Sequence, residues 1–152
     1  MSLDHDFILV SAEELGSTEY SELARREGAV HLHDDLVAYL HDSLRWIPTI
    51  NPAMADERGL GLNTHGVTAI LHDAAGQAAE VFHCWAELFR LGPDILSLTG
   101  QWTAIAGEPE SGSYARIAFS RDAVVLALEG ISDACREVAR SEGAAVLFHC
   151  GI

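Results

Sequence analysis

The chain has 152 residues, 49% of them hydrophobic, and 23 acids against nine bases give a formal net charge of −14. It has the size of one domain with its own core and is too apolar to be disordered, yet its longest apolar runs, such as "AVVLAL" at 123–128, fall far short of the about 20 residues a membrane helix needs. All nine bases are arginine, which excludes lysine Schiff-base chemistry and a Walker-type phosphate loop, and the acidic balance argues against nucleic acid or an anionic membrane as partner.

In chain order, "MSLDHDFILV" carries two aspartates and no basic region ahead of its apolar run, so it does not read as an export signal. Three cysteines without framework spacing then imply free thiols in a reducing cytoplasm. "FILV" (7–10) predicts a short strand or an apolar lead-in, and Ser11, with Glu14 three residues on as in a capping box, the cap of a turn. "STEYSELARREG" (17–28) predicts a helix ending at Gly28. "DDLVAYLHDSLRW" (34–46) predicts a better one: Leu36, Leu40 and Leu44 lie four apart, Val37 and Ile47 widen the stripe, the first turn is acidic, and Pro48 stops it. Residues 47–66 read as a long irregular loop with two prolines and three glycines.

"GVTAILHD" (66–73) predicts a strand ending at a "DAAG" turn, and "QAAEVFHCWAELFRLGP" (77–93) a helix stopped by Gly92-Pro93. "DILSL" and "QWTAIA" suggest a hairpin around Thr99-Gly100, with "GEPESGS" (107–113) as an acidic hairpin loop. "SYARIAF" and "AVVLAL" suggest two more strands, "SDACREVARSEG" (132–143) a helix capped by Ser132, and "AAVLFHC" a closing strand. Strands outnumber helices and cluster after residue 66. The expectation is a single α+β domain, 1–152: a largely antiparallel β-sheet with about four helices packed mainly on one face.

The tripeptide "FHC" occurs at 82–84 and at 148–150. The first copy falls on a predicted helix, where adjacent residues point about 100° apart, and the second on a predicted strand, where they point to opposite faces. Neither His–Cys pair can act within its own segment, and no knuckle spacing of structural zinc is present. Both Cys84 and Cys150 sit in apolar runs and are expected to be buried.

The string "HLHDD" is the most metal-like. His31, His33 and Asp35 match H-x-H-x-D and resemble the opening of the binuclear metal motif of the metallo-β-lactamase family. That resemblance implies metal ligation by these three residues. The next motif position, a histidine in that family, is Leu36 here. The other reading is a polar turn that caps the helix beginning near Asp34. Four His-Asp dipeptides lack the partners of a helical HD site, and "GLGLNTHG" (59–66) is not G-x-G-x-x-G. No G-x-S-x-G elbow exists.

What remains is surface. Residues 1–35 hold nine acids against two arginines, half of the net charge. The expected partner-binding residues are Asp34, Asp35, Tyr39, Asp42, Trp46, Asp56 and Glu57, carboxylates around aromatic anchors suited to a basic protein. No catalytic residue, cofactor or metal is assigned, and a homodimer stays open. A small, acidic, lysine-free domain is similar in character to bacterial immunity proteins, which neutralise a toxin by binding it. This likeness rests on size and charge and implies a non-catalytic protein-binding module. The alternative is a small Cys/His- or metal-dependent hydrolase built on Cys84, Cys150 or the His31/His33/Asp35 cluster.

Overall fold

The computed structural model describes residues 3–152, so the first two residues of "MSLDHDFILV" lie outside the described residues. The elements are β1 (Asp4–Ser11), α1 (Ala12–Ser17), α2 (Tyr20–Leu23), β2 (Val30–His33), α3 (Asp34–Leu44), β3 (Pro48–Asn51), a 3₁₀ turn (Pro52–Met54), β4 (Glu57–Leu60), β5 (Val67–Ile70), α4 (His72–Arg90), β6 (Ile95–Ile105), β7 (Glu108–Ser120), α5 (Arg121–Arg140) and β8 (Ala145–Cys150). Six strands form one sheet in the order β2-β1-β8-β5-β3-β4, and β6 and β7 form a separate ribbon. Every pairing is antiparallel. The protein is thus α+β, with helices against a mostly antiparallel sheet. No helix among the described residues is long and apolar enough to cross a membrane.

β1 and β8, from the two ends of the chain, pair from Asp6↔Cys150 to Ser11↔Ala145 at the middle of the sheet. Because side chains alternate along a strand, each contributes to two cores. Phe7 and Leu147 join Leu32, Ile70 and the apolar stripes of α3, α4 and α5. Ile8, Val10, Val146 and Phe148 join Leu23 of α2 on the other face. The three long helices therefore share one face, as expected. Among the described residues the helices number five against the about four expected, the extra one being the short α1.

α3 forms where the sequence places it, and Leu36, Val37, Leu40 and Leu44 are buried. The Ser11–Glu14 capping box forms in full, but it opens α1. The helix expected over 17–28 shrinks to α2, because that segment offers the core only Leu23. "EGAV" leads into β2, so His31–His33 are strand rather than turn, while the capping of a helix that begins at Asp34 is as expected.

The loop read over 47–66 is largely the β3–β4 hairpin. Pro48 opens β3, where a missing N–H is tolerated, and Ala55 and Asp56 take left-handed backbone at the turn. α4 begins five residues before the predicted start and absorbs "DAAG", because Ala74, Ala75, Ala78 and Ala79 make a flat buried face. β6 passes straight through Thr99-Gly100 with only a register shift, and the ribbon turns at Ala106-Gly107 instead, where Gly107 has φ 87°. "GEPESGS" is therefore mostly β7.

"AVVLAL" is helix, not strand. It continues through Gly130 into "SDACREVAR", and Val124, Val125, Leu128, Ile131, Cys135 and Val138 form one buried helical stripe. Gly130 survives mid-helix because Val30 approaches to 3.2 Å of the place its Cβ would occupy. Ser132 is not a cap. It is buried, and its hydroxyl donates to the Ala79 carbonyl of α4 at 2.9 Å.

Candidate functional site

The site is organised by α3. His33, the last residue of β2, caps it: Nδ1 accepts from the Asp35 amide at 3.2 Å. Asp34 then begins the helix, and its amide donates to the Leu3 carbonyl at 2.8 Å. Its carboxylate Oδ1 lies 3.0 Å from Nε2 of His5, a fully buried residue of β1. His5 Nδ1 in turn lies 2.8 Å from Nε2 of His149 on β8, whose ring stacks on His5 and tilts against Phe7. His149 Nδ1 is buried without a partner. The arrangement that leaves no buried N–H unpaired has His149 Nε2–H donating to His5 and His5 Nε2–H donating to Asp34. Burial, with His5 alongside, holds the His149 imidazole down to about 3, so it is neutral at pH 7.

A hollow of about 410 Å³ runs beside α3, lined among others by Asp34, Tyr39, Asp42, Arg45, Thr64 and Gln101. A smaller one, about 230 Å³, adjoins it and is lined by Asp35, Tyr39 and Gln101 of the ribbon. On the other flank, where α3 meets α4, Trp46, Val81, Cys84, Trp85 and Leu88 line an apolar groove of about 330 Å³. Trp46 is 64% exposed. Tyr39 is 41% exposed and leans against Trp85 and Phe89, with ring centroids 6.0 and 6.3 Å away. Trp85 is anchored by its indole N–H, which donates to the Ser43 hydroxyl at 2.7 Å.

Of the residues singled out in the sequence, the fold gathers Asp34, Asp35, Tyr39 and Asp42 around two adjoining hollows. It sets Trp46 in the separate groove. Asp56 and Glu57 are exposed on the β3–β4 hairpin and line none of these depressions. Asp34 is no freely solvated acid, because His5 holds it. Sequence reasoning missed His5, Trp85, Leu88 and Gln101 as parts of this surface, and it singled out His149 only through its FHC tripeptide, not as a partner of His5. Trp85 and Leu88 carried a signal, as apolar residues beside a polar helix face.

The two FHC copies do not converge. His149 is buried on the helix side of the sheet, while Cys150 faces the other side. Cys84 is exposed on α4, contrary to the burial expected of it. Cys150 is half-buried, and burial together with the nearby Asp6 carboxylate raises its pKa. His31 pairs with Asp6 at 2.6 Å, and His33 lies against the Phe119 ring and 3.6 Å from Asp35. The H-x-H-x-D residues are thus individually engaged.

Among the described residues, the group whose ligand atoms approach as a metal requires is His83, Glu87 and Glu129, within 4.8 Å of one another. His83 and Glu87 stand four apart on α4, and Glu129 faces them from α5, 3.4 Å from His83. Arg90 pairs with Glu87 and lies 3.0 Å from Glu129, so these carboxylates already face a cation that a metal would have to displace. The group joins α4 to α5 as a charge network.

Comparison with known proteins gives no matching family model, no similar curated protein and no similar solved structure.

Proposed function

We propose that the protein is a non-catalytic, acidic binding module that associates stoichiometrically with a basic protein through the exposed side of α3 and its flanks. Its mode of action would be that of an immunity-type inhibitor, which neutralises a toxin by occupying it. The observation that carries this reading is the exposure of two aromatic anchors, Tyr39 on α3 and Trp46 just beyond its C-terminal end, beside the Asp35 and Asp42 that α3 also presents. Large aromatics dominate binding energy when a partner dehydrates them, and surrounding carboxylates steer a basic partner toward them. A net charge of −14 supplies the long-range field.

The reading assigns different rates to different residues. Charge steering acts on encounter and is screened by salt over roughly 10 Å at 0.1 M. The association rate should therefore fall steeply with ionic strength while dissociation changes little. Asp35→Asn with Asp42→Asn should slow association, and Tyr39→Ala or Trp46→Ala should speed dissociation, with the fold intact by circular dichroism. Partners captured from native lysate supply the ligand for stopped-flow measurement. Capture of acidic partners only, or none, or mutants that bind like the parent, would remove the reading's support.

A further inference from the structure

We propose that the hollow beside α3 is a receptor for a single arginine or lysine side chain of the partner, with Asp34 as its fixed acceptor. This rests on the binding-module reading and names the chemistry that one part of the surface selects.

Asp34 Oδ1 is engaged by His5 at 3.0 Å, and among the described residues its second oxygen accepts no hydrogen bond. His5 is fully buried and is itself held by the fully buried His149, 2.8 Å away. His5 thus holds Oδ1 from the core side, which favours one orientation of the carboxylate. Preorganisation of this kind strengthens a charged contact because no reorganisation is needed on binding.

Two imidazoles sit in the core, and one keeps a buried Nδ1 without a partner. A buried polar pair with an unsatisfied atom is a poor way to fill a core and calls for an explanation in function. Holding Asp34 is the only external contact this pair makes among the hydrogen bonds of the described residues.

Asp42 lines the same hollow and has no ion pair among the described residues, and Asp35 lines the adjoining one. Tyr39 is common to both hollows and offers a ring to a cation. Three carboxylates outnumber the one arginine present, Arg45, which forms no ion pair with any of them. Arginine fits best, because its planar fork can give one oriented carboxylate two parallel hydrogen bonds, whereas an ammonium acts as a point charge.

The probe is the capped tripeptide acetyl-Gly-Arg-Gly-amide, titrated into ¹⁵N-labelled protein and followed by amide shifts. The controls are the same peptide with Lys, Gln or Glu at the centre. The arginine peptide should give saturable shifts centred on Asp34, Tyr39, Asp42 and Gln101. The lysine peptide should bind more weakly, and the Gln and Glu peptides should not saturate. Asp34→Asn should weaken the arginine peptide about tenfold, which is about 1.4 kcal/mol. Asp42→Asn, at a site with no internal partner, should weaken it less and serves as the second variant if Asp34→Asn perturbs the fold. Shifts spread evenly over the acidic surface, no saturation, or equal response to the Gln peptide would overturn the proposal. The titration uses no partner, so its failure beside a captured basic protein would overturn the receptor hollow alone. Saturation without any captured partner would instead count against the broader reading.

Discussion

Three thiols of one chemical type meet three surroundings. Cys84 is exposed, Cys150 is half-buried, and Cys135 is buried in the α5 stripe. Desolvation pushes the Cys135 thiol up to about 12, and burial with the Asp6 carboxylate raises Cys150. Thiolate is the reactive form. A thiol reagent at pH 7.5 should therefore label Cys84 rapidly in the native protein, Cys150 slowly, and Cys135 only in denaturant. Mass mapping of the modified peptides reads the order directly, and native labelling of Cys135 ahead of Cys84 would contradict it. Reading Cys84 as buried from its apolar neighbours fails for a geometric reason. Phe82 and Cys84 are two apart on α4, about 200° around the helix, so the burial of one turns the other outward.

The pair α4 and α5 shows how elements constrain each other. Ala75, Ala78, Ala79 and Ala86 keep the buried face of α4 low, and α5 lies close enough for Ser132 to reach the Ala79 carbonyl. Enlarging that contact should force the helices apart. Ala79→Leu is expected to destabilise by about 1–3 kcal/mol, the range for overpacking. Leu126→Ala, on the 75%-exposed side of α5, should stay within about 0.5 kcal/mol. Urea unfolding of both variants checks the contrast, and similar midpoints would mean that the helices are not closely packed.

For the whole molecule, the buried His149 imidazole couples stability to pH. His149 is held from 6.5 down to about 3 in the folded protein, while the unfolded chain takes up the proton near its ordinary value. Between those values the unfolded state binds more protons, so stability rises with pH. The contribution of His149 is fully present above about 6.5 and is lost as pH falls toward 3, at up to about 1.4 kcal/mol per pH unit. Glu14, drawn down to about 2 by hydrogen bonds from Arg26 and Ser11, acts in the same direction but only below its ordinary 4.5. Comparing pH 7 with pH 5 isolates the histidine. Unfolding free energy should drop over that interval in the parent protein and drop less in His149→Gln. Parallel losses in both would show that this group is not responsible.

Local physics alone determined the class of the fold and several of its elements. The Leu36–Leu40–Leu44 stripe with its acidic first turn could only be a helix with one buried face, and "AAVLFHC" is apolar on both faces, as a central strand must be. Pro48 stops α3 as read, but glycine misled where tertiary contacts overruled it: Gly130 lies within α5, where Val30 leaves little room for a side chain, and Gly100 lies inside β6. "AVVLAL" has no period of its own, and only continuation of its stripe to Val138 makes it helical. The acidic, aromatic character of α3 was legible because it needs only residues near in sequence. Which carboxylates share a hollow, and that His5 and His149 hold Asp34, depended on pairing residue 6 with residue 150 across the sheet. No short-range pattern encodes a contact between the two ends of a chain, so the tertiary structure alone decided it.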